Sequence, residues 1–546
     1  MTRSSDRRRN KSPMLDQNRV LPTDYTTIVR DWLNELPPTP KYDYLKSNVF
    51  EKFVDSNTVP ADVRRERAIA KWLSMEAVNE ETNLRLSTTP EDTVLLPNVR
   101  FGPFVEKCRS IISSIIGELP SDTALGSFSG GASTSRKRTL STPAEKYVGK
   151  AHITSACLDV FDPADYPVWS VLSRPELITV EGASMFTVPK NAEIDRVACK
   201  EPDINMFLQK GAGSQIRKCL RKVGINLQDQ GRNRELAREG SRTGELATLD
   251  LSSASDTVSH EIVFQLMPIC WYSYLNSIRS QVIVINGQRH FCEMFSSMGN
   301  GFTFELESLL FYALARTTAY FTGTKGVISV YGDDLIIPSR MYHAFAHVLF
   351  YFGFSPNNAK SFHEGPFRES CGGHYWNGND ITPFFVRRPI DRLSELLLFL
   401  NNLRIWSGRG QSLFLDDVAW PLWSLFSQDV PLSLKGGDVT SSGRTQLVSP
   451  GNPRKRLQPV TKDKSLPPEG VYLQSLNEIQ DRSFTPMVDD FEKRKRLQKL
   501  ALKRAQAGLE PIDDHSSKVV LGRCRLSSTQ KWTWHSCGML FVEETA

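Results

Sequence analysis

Three acidic side chains, distant in the chain, have the character needed for phosphoryl chemistry. Asp333 and Asp334 stand side by side in Tyr331-Gly332-Asp333-Asp334, between two β-prone runs at 326–330 and 335–337 that read as a hairpin. Adjacent carboxylates in a tight turn repel each other, and a divalent cation relieves that repulsion. Hard oxygen ligands suit magnesium or manganese. Asp-rich turns are also simply good turn formers, and the pair alone does not separate the two readings. Asp250 adds weight to the metal reading. It ends a predicted strand, 245–250, and leads through Leu251-Ser252-Ser253-Ala254-Ser255-Asp256 into a turn. Across an antiparallel sheet it would face the hairpin. Three carboxylates can hold two ions about 3.5–4 Å apart, one activating an attacking hydroxyl and the other steadying the leaving oxygen. That arrangement suits in-line phosphoryl transfer, where positioning and charge neutralisation do most of the catalysis.

Other residues supply what such a centre needs around it. Asp256 either caps a helix or binds substrate, and the two roles can coexist. In Ser296-Ser297-Met298-Gly299-Asn300-Gly301 the glycines allow a turn and a close backbone approach to a ligand. Asn300 offers a donor and an acceptor, enough to read a sugar hydroxyl, although an ordinary Gly-rich helix entry has the same look. Lys190, Arg196 and Lys200 lie on alternating, β-prone sequence (187–189 and 197–199) that reads as a strand or hairpin. They could neutralise a triphosphate and its pyrophosphate leaving group, or form a solvated charged face. Lys360, in Asn357-Asn358-Ala359-Lys360, could give a proton to pyrophosphate or merely balance charge near a loop.

The elements that would carry these groups are mixed. A helix is expected over 303–320, with Glu305 and Glu307 in its first turn and Arg316 in its last, as the helix dipole favours. Further helices are expected over 341–352 and 491–507. Strands and helices interleave without βαβ regularity, so the fold class expected is α+β. Two Gly/Ser-rich stretches, 121–142 (bearing Arg136, Lys137 and Arg138) and 435–470, read as long loops.

The chain has 546 residues, 40% hydrophobic and 23% charged, values that exclude wholesale disorder. Its length suggests about three to five modules. No run of about 18 uncharged apolar residues suggests a membrane span. The basic first residues are followed by no apolar core, so no secretory signal is expected. Nine scattered cysteines without a CxxC pair read as free thiols in a reducing compartment. A net charge of +6 permits a polyanionic partner without demanding one.

The order of these signals is informative: basic run, strand-end Asp, Gly-rich helix entry, YGDD hairpin, Lys loop. It is the order of motifs in right-hand RNA-directed RNA polymerases. The chain closely resembles the replicase β subunit of the positive-strand RNA bacteriophages (leviviruses). The resemblance is carried by VPKNAEIDRVACKEPDINMFLQKG (188–211), LATLDLSSASDTVS (246–259), SSMGNGFTFELESLLFYALA (296–315), VYGDDLIIP (330–338) and EGPFRESCGGHYWNG (364–378). It covers 181–404 well and the termini more loosely.

The resemblance implies a right hand of fingers, palm and thumb, with an antiparallel palm sheet packed on helices. The N-terminal region and fingers would span 1–240. The palm would span 241–375, with a finger insertion at about 261–295, and the thumb and C-terminal region 376–546. It implies metal binding by Asp250, Asp333 and Asp334, to two Mg2+ ions with Mn2+ as the alternative. Lys190, Arg196 and Lys200 would face the nucleotide's phosphates. Asp256 and Asn300, on turns that include Ser297 and Gly299, would recognise the ribose 2′-hydroxyl. Lys360 would be a general acid, and Tyr331 and Gly332 would shape the hairpin turn. Expected partners are a single-stranded RNA template, nascent RNA, ribonucleoside triphosphates, host elongation factors Tu and Ts and a small-subunit ribosomal protein, all in the cytoplasm of an infected bacterium. The basic run Lys493, Arg494, Lys495, Arg496, Lys499, Lys503 and Arg504 fits either an RNA-backbone contact or a solvated helix. The rival readings are a reverse transcriptase, a metal-dependent sugar-nucleotide transferase and a non-catalytic RNA-binding protein with a polymerase-like shell.

Overall fold

The structure is a computed structural model. It describes residues 20–54, 59–119, 126–163, 166, 175–408 and 416–430, with the backbone of 457–459 and 524–526. The loop expected over 435–470 therefore lies outside the described residues except for three backbone positions. The basic helix expected over 491–507 lies outside them altogether.

The elements that frame the candidate site begin with helices α1 (Ala61–Thr88) and α2 (Phe101–Ile116) and strands β1 (Ala183–Pro189) and β2 (Asp195–Lys200). Helices α3 (Asp203–Lys222) and α4 (Gly231–Thr243), strand β3 (Leu246–Leu249) and helix α5 (His260–Leu266) follow. Next come strands β4 (Val282–Ile285) and β5 (Gln288–Phe291), helix α6 (Thr303–Phe321), and strands β6 (Ser329–Tyr331) and β7 (Asp334–Pro338). Helix α7 (Tyr342–Tyr351), strands β8 (Phe367–Ser370) and β9 (Gly373–Trp376), and helices α8 (Leu393–Ser407) and α9 (Ala419–Ser427) complete the frame.

Strands β6, β7 and β3 form an antiparallel sheet in that order, with Tyr331 opposite Asp334 and Leu249 opposite Leu335. Their sequences are apolar along their length rather than alternating, because both faces are covered. Ala247, Leu249, Leu335 and Ile337 enter the main core, while Leu246 and Ile336 meet Leu236, Ala237 and Tyr375 on the other side. Helix α6 is the centre of that core. It is buried on nearly every turn and packs against α2, α3 and α7, as a helix apolar around its circumference must.

A second sheet runs in the order β2, β1, β4, β5, with β1 and β2 as an antiparallel hairpin. Helix α1 covers it, placing Ala68 and Trp72 against Ala183, Val197, Cys199 and Ile283. A third apolar cluster joins distant parts of the chain. Tyr25, Val29, Leu33 and Leu45 pack with Leu396, Leu400, Trp406, Trp423 and Phe426 of α8 and α9, and the Tyr25 hydroxyl donates to Asp429.

The mostly antiparallel sheets and non-alternating helices make the described residues α+β, as expected. Among them, no helix is long and apolar enough to cross a membrane, and every cysteine whose side chain is described is a free thiol. Two local expectations need correction, and one long loop is found as expected. The first hairpin strand starts at Ser329 rather than 326, since Gly326 has φ 149° and any Cβ there would lie 2.7 Å from Pro338. The described part of the 121–142 stretch is anchored coil with a short turn at Arg138–Leu140, and its Arg136 pairs with the buried Asp203. Glu305 stands in the first turn of α6 as expected and Glu307 lies beyond it, but both are buried rather than facing solvent. Glu305 accepts from Arg217 Nε at 2.9 Å, and Glu307 is buried against the hairpin.

A single buried cation ties the central sheet to the chain that follows it. Arg368, 0% exposed, donates from Nε to the Leu246 carbonyl at 2.6 Å and from its terminal nitrogens to the carbonyls of His363, Glu364, Gly365 and Phe367. Arg368→Met leaves five carbonyls short of a donor, the buried one of Leu246 among them. The expected cost is on the order of 3 kcal/mol, seen as a lower thermal midpoint by circular dichroism. An unchanged midpoint would mean that water replaces the guanidinium at no cost.

Candidate active site

Register brings the three acidic side chains together. Leu249 and Leu335 are the last paired residues of β3 and β7, so Asp250 and Asp334 occupy the next opposed positions. Opposed residues in an antiparallel ladder lie about 4.5–5.5 Å apart at Cα. The hairpin carrying Asp333 folds directly onto α6. Gly332 has φ 62°, its N–H donates to Ser308 Oγ at 3.0 Å, and a Cβ there would lie 2.5 Å from the Phe304 ring. Tyr331 packs edge-on against that same ring, with centroids 5.1 Å apart. Tyr331 and Gly332 thus shape the turn.

Two of the three carboxylates are held by hydrogen bonds. Asn357 Nδ2 donates to Asp250 Oδ2 at 3.0 Å, and the Asn357 N–H donates to the Asp250 carbonyl at 2.8 Å. Asp334 Oδ1 accepts from the Cys371 N–H at 2.9 Å and Ser370 Oγ at 3.2 Å. Asn233 Nδ2 donates to the Asp334 carbonyl at 3.0 Å.

The site carries more negative charge than its burial tolerates. Burial, then the charges of Asp334 and Asp250, push Asp333 up to about 6, with Arg196 opposing them. Burial also raises Asp334, and Asp250 adds to it against the Cys371 hydrogen bond. Two further carboxyls border the group. Glu369 is pushed up to about 7 by burial, with Lys360 opposing and Asp250 and Asp334 adding. Glu307 is raised well above its ordinary value by burial first and Asp333 second, and its Oε2 has no hydrogen-bond partner among the described residues.

Among the described residues, no three His, Cys, Asp or Glu side chains are grouped as a metal-ion site. The chemistry of the donors and their unbalanced charge fit divalent cations, since hard anionic oxygens at the end of a sheet call for a counter-charge.

Cations face this group from the β1–β2 hairpin. Asp195, Val197 and Cys199 are buried beneath it, so Arg196 and Lys200 share the opposite, more open face. Arg196 acts on Asp333 and Asp256, and Lys190 acts on Asp256. Lys190 is itself lowered by burial and by Arg196, Lys71 and Lys360, with Asp250 opposing. Lys200 points elsewhere, with its ammonium 5.3 Å from the centre of the Phe186 ring. Lys190, Arg196 and the exposed Lys360 all line an open cleft of about 1890 Å³, together with Lys52, Arg387 and Glu369.

The Gly-rich turn departs from expectation in two ways. Gly299 (φ 119°) does allow a close approach, but to the chain's own β2, where a Cβ would lie 2.1 Å from the Cys199 carbonyl oxygen. Asn300, 8% exposed, spends its side-chain acceptor on the Phe302 N–H at 3.0 Å. Its Nδ2 is buried and has no acceptor among the described residues, so only the donor is left unspent. Ser297 is internal to the turn, its carbonyl accepting from the Asn300 N–H and Thr303 Oγ1, both at 3.1 Å. Asp256 does not cap a helix. It ends a short turn at Ala254–Asp256, and Ser259 stands at the cap position of α5. Burial pushes Asp256 up to about 6 against Lys71 and Arg196, with Glu76 adding to the rise and Lys190 opposing it.

Sequence reasoning missed Asn357, Glu369, Cys371, Glu307 and Lys71. The first three lie within or beside segments that already drew attention, so proximity to motifs was the available signal. Glu307 was read as a dipole partner, and Lys71 looked like any helix-surface lysine.

The family model described as RNA replicase, beta-chain matches residues 19–534. The chain belongs to that family. Its relatives include the RNA-directed RNA polymerase beta chain of Enterobacteria phage GA, 43% identical over 348 residues, covering 62% of this chain and 65% of that one. The beta chain of Escherichia phage MS2 is 43% identical over 338 residues, covering 60% and 62%. The RNA-directed RNA polymerase subunit beta of Enterobacteria phage SP is 36% identical over 484 residues, covering 83% and 81%. The chain thus matches just under two thirds of the length of the first two. The in situ structure of BmCPV RNA-dependent RNA polymerase at elongation state superposes with a TM-score of 0.41 at 10% identity, over 93% of this chain and 55% of that one. That superposition is too weak to carry an argument.

The charge imbalance is testable without catalysis. Because the fold raises Asp333 from 3.8 to about 6, ionising it works against folding, and stability is lost as pH rises through that window. In metal-free protein above pH 6 (about the raised value), Asp333→Asn should raise the thermal midpoint by roughly 1–3 °C. Added magnesium should stabilise the wild type more than the variant. An equal magnesium response in both would show that this carboxylate does not take up the cation.

Proposed function

We propose that the chain is an RNA-directed RNA polymerase, the catalytic subunit of a phage RNA replicase. The observation that carries the reading is the convergence of Asp250 with Asp333 and Asp334 at the end of the central sheet, in a chain of the replicase beta-chain family. The names of its relatives support the same activity. The architecture we infer is a right hand. The palm spans 241–375 with a finger insertion near 261–295, and the fingers lie within 1–240. The thumb and C-terminal region span 376–546, and the helices at Tyr25–Asn34 and Pro40–Asn48 pack on its described part.

Asp250, Asp333 and Asp334 would hold two Mg2+ (or Mn2+) ions, which supply charge neutralisation to the attacking 3′-hydroxyl and the leaving phosphate. The chain's own side chains do the rest. Lys190 and Arg196 neutralise the triphosphate from the cleft wall, with Lys200 further along the same hairpin. Lys360, which lines the same cleft, gives a proton to departing pyrophosphate. The free Nδ2 of Asn300 donates to the ribose 2′-hydroxyl oxygen, and the Asp256 carboxylate accepts its proton. Together they form a donor–acceptor pair that only a hydroxyl satisfies. A reverse transcriptase would have no use for such a pair.

The substrates are then an RNA template, the nascent strand and ribonucleoside triphosphates. Host elongation factors Tu and Ts and a small-subunit ribosomal protein are the proposed partners, in the cytoplasm of the infected bacterium.

The test is labelled ribonucleotide incorporation on an RNA template by the purified chain with those host factors and magnesium. Asp333→Asn should abolish synthesis while keeping the fold; unchanged turnover would sink the mechanism. Asn300→Ala should lower the ribo-over-deoxyribonucleotide preference by about tenfold, the worth of one buried hydrogen bond. An equal preference in mutant and wild type would remove Asn300 from the sugar site.

A further inference from the structure

We propose that helix α1 sets sugar discrimination through Asn79, acting as a positioning residue for Asp256. The inference rests on the reading of Asp256 as a sugar-facing acceptor. It adds a device that lies about 180 residues upstream of that motif in the sequence.

Helix α1 has 28 residues, and its buried positions are Ala68, Trp72, Glu76, Asn79, Thr82 and Leu86. Three of the six are polar, an unusual choice for the inner face of a helix. Buried polar groups persist where they have partners, so the partners show what the face is for. Glu76, 3% exposed, accepts from the backbone N–H groups of Glu293 (2.9 Å) and Met294 (3.0 Å) and from His290 Nε2 (2.8 Å). Asn79, 1% exposed, donates from Nδ2 to the Asp256 carbonyl at 2.7 Å. Asn83, one turn on, accepts from the Glu261 N–H at 2.9 Å and donates to the Glu293 carbonyl at 3.0 Å.

The side chains at 76, 79 and 83 lie on one helical face, spaced i, i+3 and i+7. They grip two segments of chain. One is 256–261, which begins at Asp256. The other is 290–294, which feeds the turn bearing Asn300. The two segments also bond to each other, His260 N–H to the Glu293 carbonyl (3.0 Å) and Phe295 N–H to the Val258 carbonyl (2.8 Å). The helix therefore sets the spacing between the proposed acceptor and the proposed donor.

Asn79 is the member that touches Asp256 itself. The turn at Asp256 otherwise closes on its own backbone, through Asp256 N–H to the Ser253 carbonyl at 2.8 Å, with Ser253 at φ 55°. The bond from Asn79 comes from a different element and fixes where that turn sits. Its amide orientation is unambiguous, because the reverse would set Oδ1 against a carbonyl oxygen. A site that reads a hydroxyl must hold its polar groups within about 0.5 Å of the productive position.

The experiment uses the replicase with its host factors and compares kcat/KM for ribo- and 2′-deoxyribonucleotides. Asn79→Asp removes the donor at constant volume, and Asn79→Ala removes it without adding a repelling oxygen. Both should lower kcat/KM for ribonucleotides about tenfold, with deoxyribonucleotide values within about twofold of wild type, so that the ratio falls. A purely scaffolding residue would lower both values together. An unchanged ratio in both Asn79 variants, with a fallen ratio in Asp256→Ala, would overturn the positioning role. An unchanged ratio in Asp256→Ala would overturn the sugar-reading assignment beneath it.

Discussion

Like charges crowded into a partly buried space are the constraint around which this chain is arranged. Burial, then the charges of Asp334 and Asp250, raise the proton affinity of Asp333; burial and Asp250 raise that of Asp334; and Glu369 and Glu307 border the group. Left alone, such a group would push its strands apart or stay protonated. Backbone and amide donors at Asn357, Cys371 and Asn233 fix the positions, and Arg196 and Lys190 bring positive charge to the open side. The apolar sheet and α6 beneath give the rigidity that keeps the carboxylates from relaxing away. What the protein has not neutralised is what a divalent cation would.

The core and the polar wiring divide the labour. Helix α6 and strands β3 and β7 supply apolar mass to the main core. Direction comes from a few buried polar side chains, Arg368 among the carbonyls and Asn357 against Asp250. Such groups add little net stability, yet losing one partner is costly, so they specify one arrangement over near alternatives.

The sequence made the local features legible and the long-range ones not. The hairpin at 331–334, the strand before Asp250 and the helix from 303 are written in composition and spacing, and the structure has them within a few residues. The meeting of Asp250 with the hairpin needed strand order, which the family's motif sequence supplied. Glu307 was misread because a carboxylate in a first helical turn has a ready explanation that needs no tertiary contact. Asn300 was half-read: both its hydrogen-bonding functions were visible, but only the fold shows that one is consumed by Phe302. Lys71 carries no local signal at all. Its importance arises because α1 lies across β2, a pairing between segments about 120 residues apart in the sequence.

The apolar cluster that joins Tyr25, Val29 and Leu33 to α8 and α9 has a bearing on how the molecule comes to exist. During synthesis the early members of this cluster emerge about 360 residues before their partners. At about 5–20 residues per second that is a wait of roughly 20–70 s. Throughout it, these apolar side chains have only one another and the neighbouring Leu45, Val49 and Phe50 to bury against. This part of the molecule therefore closes late on the ribosome, and until it does the unfinished chain is a natural client for chaperones.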